Sequence, residues 1–139
     1  MDGRIDWSAL FFSASGRAAR TPFLIAAVIL IVSWAVYEAV VSGALHWMTG
    51  WIVYPVLLFC GACVLSKRLH DRGKTGWWAA LVLFAVVMVW PHPEGVLDFI
   101  GLLVIGWAVV ELALMPGEQG ANRFGPNPMR PVQVQVNEA

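Results

Sequence analysis

Four long apolar runs, separated by short polar segments, dominate the hydropathy pattern of this 139-residue chain. The runs fall at residues 22–45, 47–66, 75–91 and 95–114. A helix needs about 20 apolar residues to cross about 30 Å of hydrocarbon, and three of the runs reach that length. The pattern therefore predicts an all-α membrane protein with four transmembrane helices in a single domain, residues 1–125.

The third run is the shortest, and tryptophans mark both of its ends. The stretch from Trp77 to Trp90 would rise only about 21 Å as a helix. Trp77 and Trp78 at one end and Trp90 at the other are typical of the interfacial belts, where an indole ring lies at headgroup level. Trp47 and Trp51 suit the same position at the start of the second run. We expect the residues that flank the third run to complete its crossing.

Composition agrees with a lipid environment. Apolar residues make up 59% of the chain and charged residues 13%, and the mean hydropathy is +0.70. These values exclude an ordinary water-soluble globule. The formal net charge is zero, and no nucleic-acid partner is expected.

The Lys and Arg residues are confined to alternate polar segments. All nine lie in residues 1–21, 67–74 or 116–139, and none lies in the turns at 42–46 and 91–94. Cytoplasmic segments of membrane proteins carry an excess of Lys and Arg. The distribution therefore predicts that both termini and the 67–74 loop are cytoplasmic.

The two ends of the chain have different compositions. Residues 5–12 mix apolar and polar side chains and are too short to span, which predicts a short interfacial helix at the amino terminus. Residues 126–139 contain three prolines and no apolar face long enough to bury, which predicts a flexible cytoplasmic tail.

Three polar motifs carry a resemblance to a known family. They are Gly-Arg-Ala-Ala-Arg at 16–20, Arg-Leu-His-Asp-Arg-Gly followed by Gly-Trp-Trp within 68–78, and Pro-Gly-Glu-Gln-Gly-Ala-Asn-Arg-Phe-Gly-Pro-Asn-Pro at 116–128. In this order the motifs resemble domain-of-unknown-function family 805, a family of small bacterial inner-membrane proteins. The resemblance covers about residues 11–128 and implies a multi-pass protein of the bacterial inner membrane. It implies no chemistry, because the family has no assigned function.

All three motifs fall on the predicted cytoplasmic face, where they could form one binding site. Planar Arg donors suit phosphate oxygens, and glycines permit close backbone approach. We expect this site, here called the basic layer, to bind an anionic lipid headgroup or a partner protein. The alternative is that its residues cap helices, shape turns and attract the anionic leaflet without specificity. The basic layer comprises Arg17, Arg20, Arg68, His70, Asp71, Arg72, Gly73, Asn122 and Arg123.

The sequence indicates no catalytic, metal or cofactor site. A carboxylate beside an imidazole, as in His70-Asp71, can support proton transfer, but no nucleophile is fixed nearby. We expect Asp71 to pair with an arginine. Cys60 and Cys63 lie inside an apolar run, where they are expected to be small packing groups.

Three acidic residues lie inside the apolar runs: Glu38, Asp98 and Glu111. A carboxylate in hydrocarbon costs about 2.5–3.5 kcal/mol on insertion scales, so each needs a partner. Glu111 is expected to pair with an Arg of the basic layer. Glu38 is predicted about 10 Å inside its span, with Tyr54, Ser33 or His46 as hydrogen-bond donors.

The acidic residues inside the apolar runs indicate an alternative function. A small transporter or oligomeric channel could use Glu38 and Asp98 to conduct protons or cations. The expected partners are membrane lipids, anionic ones included, and either a protein partner or further copies of the chain.

Overall fold

The computed structural model describes residues 5–130, and within that range the protein is entirely helical, without a β-strand. This confirms the predicted all-α class. The last helix of the described range, Val96–Ala108, continues as a π-helical turn over Val109–Leu114. The helices are α1 Trp7–Phe12, α2 Arg20–Val40, α3 Gly43–Asp71, α4 Trp77–Val89 and α5 Val96–Ala108.

Three of the helices are long and apolar enough to cross a membrane: α2, α3, and α5 with its π-helical turn. The fourth, α4, has 13 residues and rises about 20 Å. The outer faces of the bundle are apolar, as large exposed side chains such as Ile31, Trp51 and Phe99 show. An apolar surface of this extent marks a protein that contacts lipid.

The turn between α2 and α3 lies earlier than the hydropathy runs predict. α2 ends at Val40, and α3 begins at Gly43, whose φ of +63° suits a residue without a Cβ. Glu38 therefore stands two residues from the end of α2. Its predicted depth of about 10 Å inside the span is wrong, because the helix turns back sooner than the apolar run ends.

The carboxyl end of α3 also differs from the prediction. Residues 67–71, expected in a loop, continue α3, and the connection to α4 is confined to residues 72–76. Gly73, with φ +71°, ends the helix in a Schellman arrangement, where Lys74 N–H donates to the Leu69 carbonyl (2.8 Å) and Gly73 N–H to the His70 carbonyl (3.0 Å). The charged residues before Gly73 thus occupy fixed positions on a helix.

The buried core lies at the end of the bundle that carries the basic layer. Leu10, Phe23, Val64, Leu69 and Leu112 from four different segments form one cluster there. Towards the opposite end, α4 packs along α5, with Gly101 close to Ala85 and Val89. Most of the buried side chains therefore lie beneath the basic layer.

The short amino-terminal helix is present as α1 and packs across α3. The Asp6 carboxylate caps it by accepting from Ala9 N–H (3.0 Å), and Lys67 Nζ donates to the Ala9 carbonyl (2.6 Å). Ala9 N–H and the Ser8 hydroxyl hold the pKa of Asp6 below its usual value. Contacts with α3 therefore stabilise a helix too short to persist alone.

Most of the predicted flexible tail, residues 131–139, lies outside the described residues. Within the described part, the Asn127 side chain donates to the carbonyls of Glu118 (3.3 Å) and Gln119 (2.8 Å). The chain thus stays attached to the preceding turn beyond residue 125, which was the predicted end of the domain.

Candidate functional site

The three sequence motifs meet at one end of the bundle. Ala18 N–H donates to the Lys67 carbonyl (3.1 Å), which joins the segment before α2 to the end of α3. Glu118 N–H donates to the Asp71 carbonyl (2.8 Å), which joins the segment after the π-helical turn to the same helix end. The end of α3 therefore lies between the amino-terminal and carboxy-terminal segments.

The Asp71 carboxylate is the centre of this assembly. Its Oδ1 accepts from Arg17, with Nε at 3.0 Å and Nη2 at 2.9 Å, and its Oδ2 accepts from Arg68 Nη1. Asp71 is 3% exposed and Arg68 is fully buried. Two guanidinium groups thus share one carboxylate away from water, an arrangement of charge-assisted hydrogen bonds. The expected pairing of Asp71 with an arginine is confirmed.

Arg68 also binds the end of the last helix. Its Nε donates to the Leu112 carbonyl (2.8 Å) and its Nη2 to the Met115 carbonyl (2.7 Å). The last carbonyls of a helix have no intrahelical donor, so a buried arginine here replaces a cap. The guanidinium of Arg68 is therefore directed inward and is held by internal partners.

Arg17 binds the carboxy-terminal segment in the same way. Its Nη2 donates to the Glu118 carbonyl (2.6 Å) and its Nη1 to the Gly120 carbonyl (2.7 Å), and its side chain is 1% exposed. One arginine thus links α3 to the carboxy-terminal segment.

A second ion pair lies beside the first. Glu111 Oε1 is 3.0 Å from Arg72 Nη2 and 3.7 Å from Lys74 Nζ, and the Glu111 side chain is 15% exposed. The predicted pairing of Glu111 with an arginine of the basic layer is confirmed. Lys74 therefore has a specific partner, whereas the sequence indicated only a role in topology.

The His70 ring is held by a backbone bond and by stacking. His70 Nδ1 lies 3.0 Å from the Gly16 carbonyl, and its ring stacks on Phe124 with centroids 3.9 Å apart and planes at 8°. Arg123 covers Phe124, with its guanidinium carbon 4.7 Å from the ring centroid. The Asn122 amide donates to the His70 carbonyl (2.9 Å). These contacts use the ring face of Phe124.

Two glycines permit the close approach of these segments. A Cβ at Gly117 would collide with the Asp71 carboxylate, and a Cβ at Gly73 would collide with the Glu118 carboxylate. Gly117 belongs to the third motif, and close backbone approach was expected of the glycines in these motifs. Among the predicted residues, Arg20 and Arg123 remain exposed at the surface.

A separate polar cluster lies near the other end of α2. The Tyr54 hydroxyl donates to Glu38 Oε1 (2.6 Å) and lies 3.0 Å from His46 Nε2, which is 3.5 Å from Glu38 Oε2. Two of the three expected partners of Glu38 are thus in place. Asp98 does not join them: its Oδ2 accepts from the N–H groups of Glu94 and Gly95 (2.8 Å each), a helix cap.

The two cysteines of α3 are buried and form no disulfide. Gly61, which lies between them in the sequence, is close to Leu83 of α4. Within residues 5–130 no group of three or more His, Cys, Asp or Glu side chains could hold a metal ion.

Long apolar helices and a buried arginine–carboxylate network at one end define an integral membrane protein of the helical-bundle class. The chain belongs to the family described as protein of unknown function (DUF805), whose profile matches residues 11–126. The resemblance drawn from the three motifs is confirmed.

Two relatives come from Escherichia coli strain K12. "Uncharacterized protein YiiR" is 35% identical over 77 residues, which cover 50% of this chain and 53% of YiiR. "Inner membrane protein YhaH" is 32% identical over 99 residues, 63% of this chain and 68% of YhaH. The chain thus spans about half the length of the first relative and two thirds of the second. No solved structure matches the chain.

Proposed function

We propose that the protein is a four-span protein of the bacterial inner membrane, with both termini in the cytoplasm. Three helices long enough to cross, the name of the relative YhaH and the one-sided distribution of Lys and Arg support this topology. The short α4 carries Trp77 and Trp78 at its start and is followed by Trp90, as a span between two interfaces does.

Labelling of single cysteines tests the topology. With Cys60 and Cys63 replaced by alanine, Ala44→Cys and Pro93→Cys should react with an impermeant thiol reagent in intact spheroplasts. Gln119→Cys should react only after permeabilisation, because it lies on the side of the basic layer. All three positions are exposed, so burial does not mask the result. Reaction at residue 119 in intact spheroplasts would contradict the four-span topology.

The basic layer, in this proposal, binds anionic phospholipid headgroups through its exposed cations. The observation that carries the proposal is the position of Arg20, exposed at the start of α2 on the end of the bundle where the three motifs meet. Ala19 precedes it and offers no side-chain cap, so the free N–H groups and partial positive charge of the helix start add to the charge of Arg20. The buried Arg17 and Arg68 position this surface without contacting the ligand.

The test compares lipid retention by variants of Arg20. In mixed micelles with phosphatidylglycerol and phosphatidylcholine, Arg20→Gln should reduce the enrichment of phosphatidylglycerol about fivefold, since one cation near the surface contributes about 1 kcal/mol. Arg20→Lys keeps the charge and should retain most of the enrichment. Retention by Arg20→Gln equal to that of the unmodified protein would contradict the proposal.

Arg68 is not suited to this test, although a lysine substitution there also keeps the charge. Its guanidinium binds Asp71 and two carbonyls inside the protein. A lysine ammonium cannot replace the three hydrogen bonds that the guanidinium donates in fixed directions. The change would therefore lower stability and would not report on a ligand.

A further inference from the structure

An apolar groove runs along the lipid-facing side of the bundle between α2, α3 and α4. Its volume is about 560 Å³, within the range of pockets that bind small molecules. It extends along α2 from Phe23 to Trp34, a rise of about 16 Å. Nearly all the groups that line it are apolar, among them Leu57, Val82 and Trp90.

The groove lies where α2 and α4 both pack on α3 without packing closely on each other. Trp34 of α2 meets Trp90, just beyond α4, with ring centroids 4.2 Å apart in an edge-to-face contact. The two rings form one end of the groove, and the buried core beneath the basic layer forms the other.

The side chains of the groove favour an acyl chain over another helix as the occupant. Hydrocarbon surrounds the helices, so lipid or protein must fill an apolar space between them. Helices associate in membranes through small residues that allow close backbone contact. Here the lining is mostly Leu, Ile, Val, Phe and Trp, with Ala27 and Gly61 as the small members. A lining with so few small residues favours a flexible acyl chain over a closely packed helix.

The polar cluster stands at the Trp34 end of the groove. Glu38 follows Trp34 by one helical turn, so it continues the face of α2 that lines the groove. Tyr54 lines the groove itself and donates its hydroxyl to Glu38 (2.6 Å). The side chain of Glu38 is 27% exposed and that of His46 is 31% exposed. A partly accessible carboxylate thus lies beside the groove, two residues from the end of α2.

We propose that this groove binds one phospholipid whose headgroup carries a primary amine, with an acyl chain between α2 and α4 and the ammonium group donating to Glu38. In hydrocarbon the chain alone gains little from the groove, because lipid tails are as apolar as its lining. Selectivity therefore comes from the headgroup, where an ammonium N–H can form a charge-assisted hydrogen bond and a choline headgroup, which has no N–H, cannot. This site is separate from the basic layer.

The test measures which lipid stays bound on extraction. The protein is reconstituted in nanodiscs of equal parts phosphatidylethanolamine and phosphatidylcholine with identical acyl chains, extracted in mild detergent, and analysed by native mass spectrometry. The unmodified protein should retain phosphatidylethanolamine over phosphatidylcholine by about tenfold, the effect of one hydrogen bond to a charged group. Glu38→Gln should abolish that preference.

Two variants on α2 separate the groove from the surrounding surface. Ala27→Phe places a ring in the groove and should remove both lipids, whereas Ala35→Phe, at an exposed position outside the lining, should behave as the unmodified protein does. Equal retention of both lipids by the unmodified protein would overturn the proposal, whether or not the variants fold. So would an unmodified dimer that retains no lipid and becomes monomeric in Ala27→Phe, because a second copy would then fill the groove.

Discussion

Replacing Asp71 with alanine should lower the free energy of unfolding by about 3–5 kcal/mol, the usual cost of removing one partner from a buried ion pair. The carboxylate is 3% exposed and accepts from both Arg17 and Arg68. Its loss would leave Arg68 charged and fully buried with two carbonyl partners and no counter-ion. The measurement is the apparent melting temperature in detergent, followed by size-exclusion chromatography.

Two further variants define this effect. Asp71→Asn keeps the shape of the side chain and one acceptor oxygen, so it should lie between the alanine variant and the unmodified protein. Glu94→Ala is the matched control, because Glu94 forms an exposed pair with His92 at 2.7 Å, and such pairs contribute little. If Asp71→Ala and Glu94→Ala melt at the same temperature, the network does not stabilise the fold.

The helical class could be predicted from the sequence because an apolar run of membrane length has few alternatives in lipid. Helix ends were harder to predict, since local contacts decide them. Hydropathy placed the end of the first span at residue 45, whereas the Gly43 turn ends α2 at Val40. Because α2 ends earlier than predicted, Glu38 lies near the end of the helix and not in the predicted interior of the span.

The sequence predicted that the three motifs would lie together, but not which of their side chains would hydrogen-bond to one another. Alternating topology brought the three motifs to one face, and the structure confirms that they lie together. Residues 67–71 were assigned to a loop, whereas they continue α3 into the core. Four consecutive side chains there, those of residues 66–69, are buried, so helical spacing alone would not have singled out Arg68. Arg20, in an equally basic motif, remains exposed.

Hydrogen bonds that are distant in sequence hold the carboxy-terminal segment in place. Arg17 binds its carbonyls at Glu118 and Gly120, and Asp71 accepts from Glu118 N–H through its main chain. No hydropathy or charge pattern predicts these bonds, because each joins a side chain or carbonyl to backbone far along the chain. The segment should therefore be released whenever its approach to Asp71 is prevented.

Replacing Gly117 with alanine should prevent the carboxy-terminal segment from approaching Asp71. Its Cβ would collide with the Asp71 carboxylate, which two arginines hold in place and which therefore cannot move aside. Overpacking of this kind costs about 1–3 kcal/mol, and we expect the upper part of that range. The variant should have a lower melting temperature and should expose the carboxy-terminal segment to limited proteolysis.

Gly120→Ala, in the same segment, is the control. An added Cβ there meets nothing within 4 Å, so a change in the free energy of unfolding within about 0.5 kcal/mol is expected. Equal protease sensitivity in the two variants would show that close contact at Gly117 does not hold the segment.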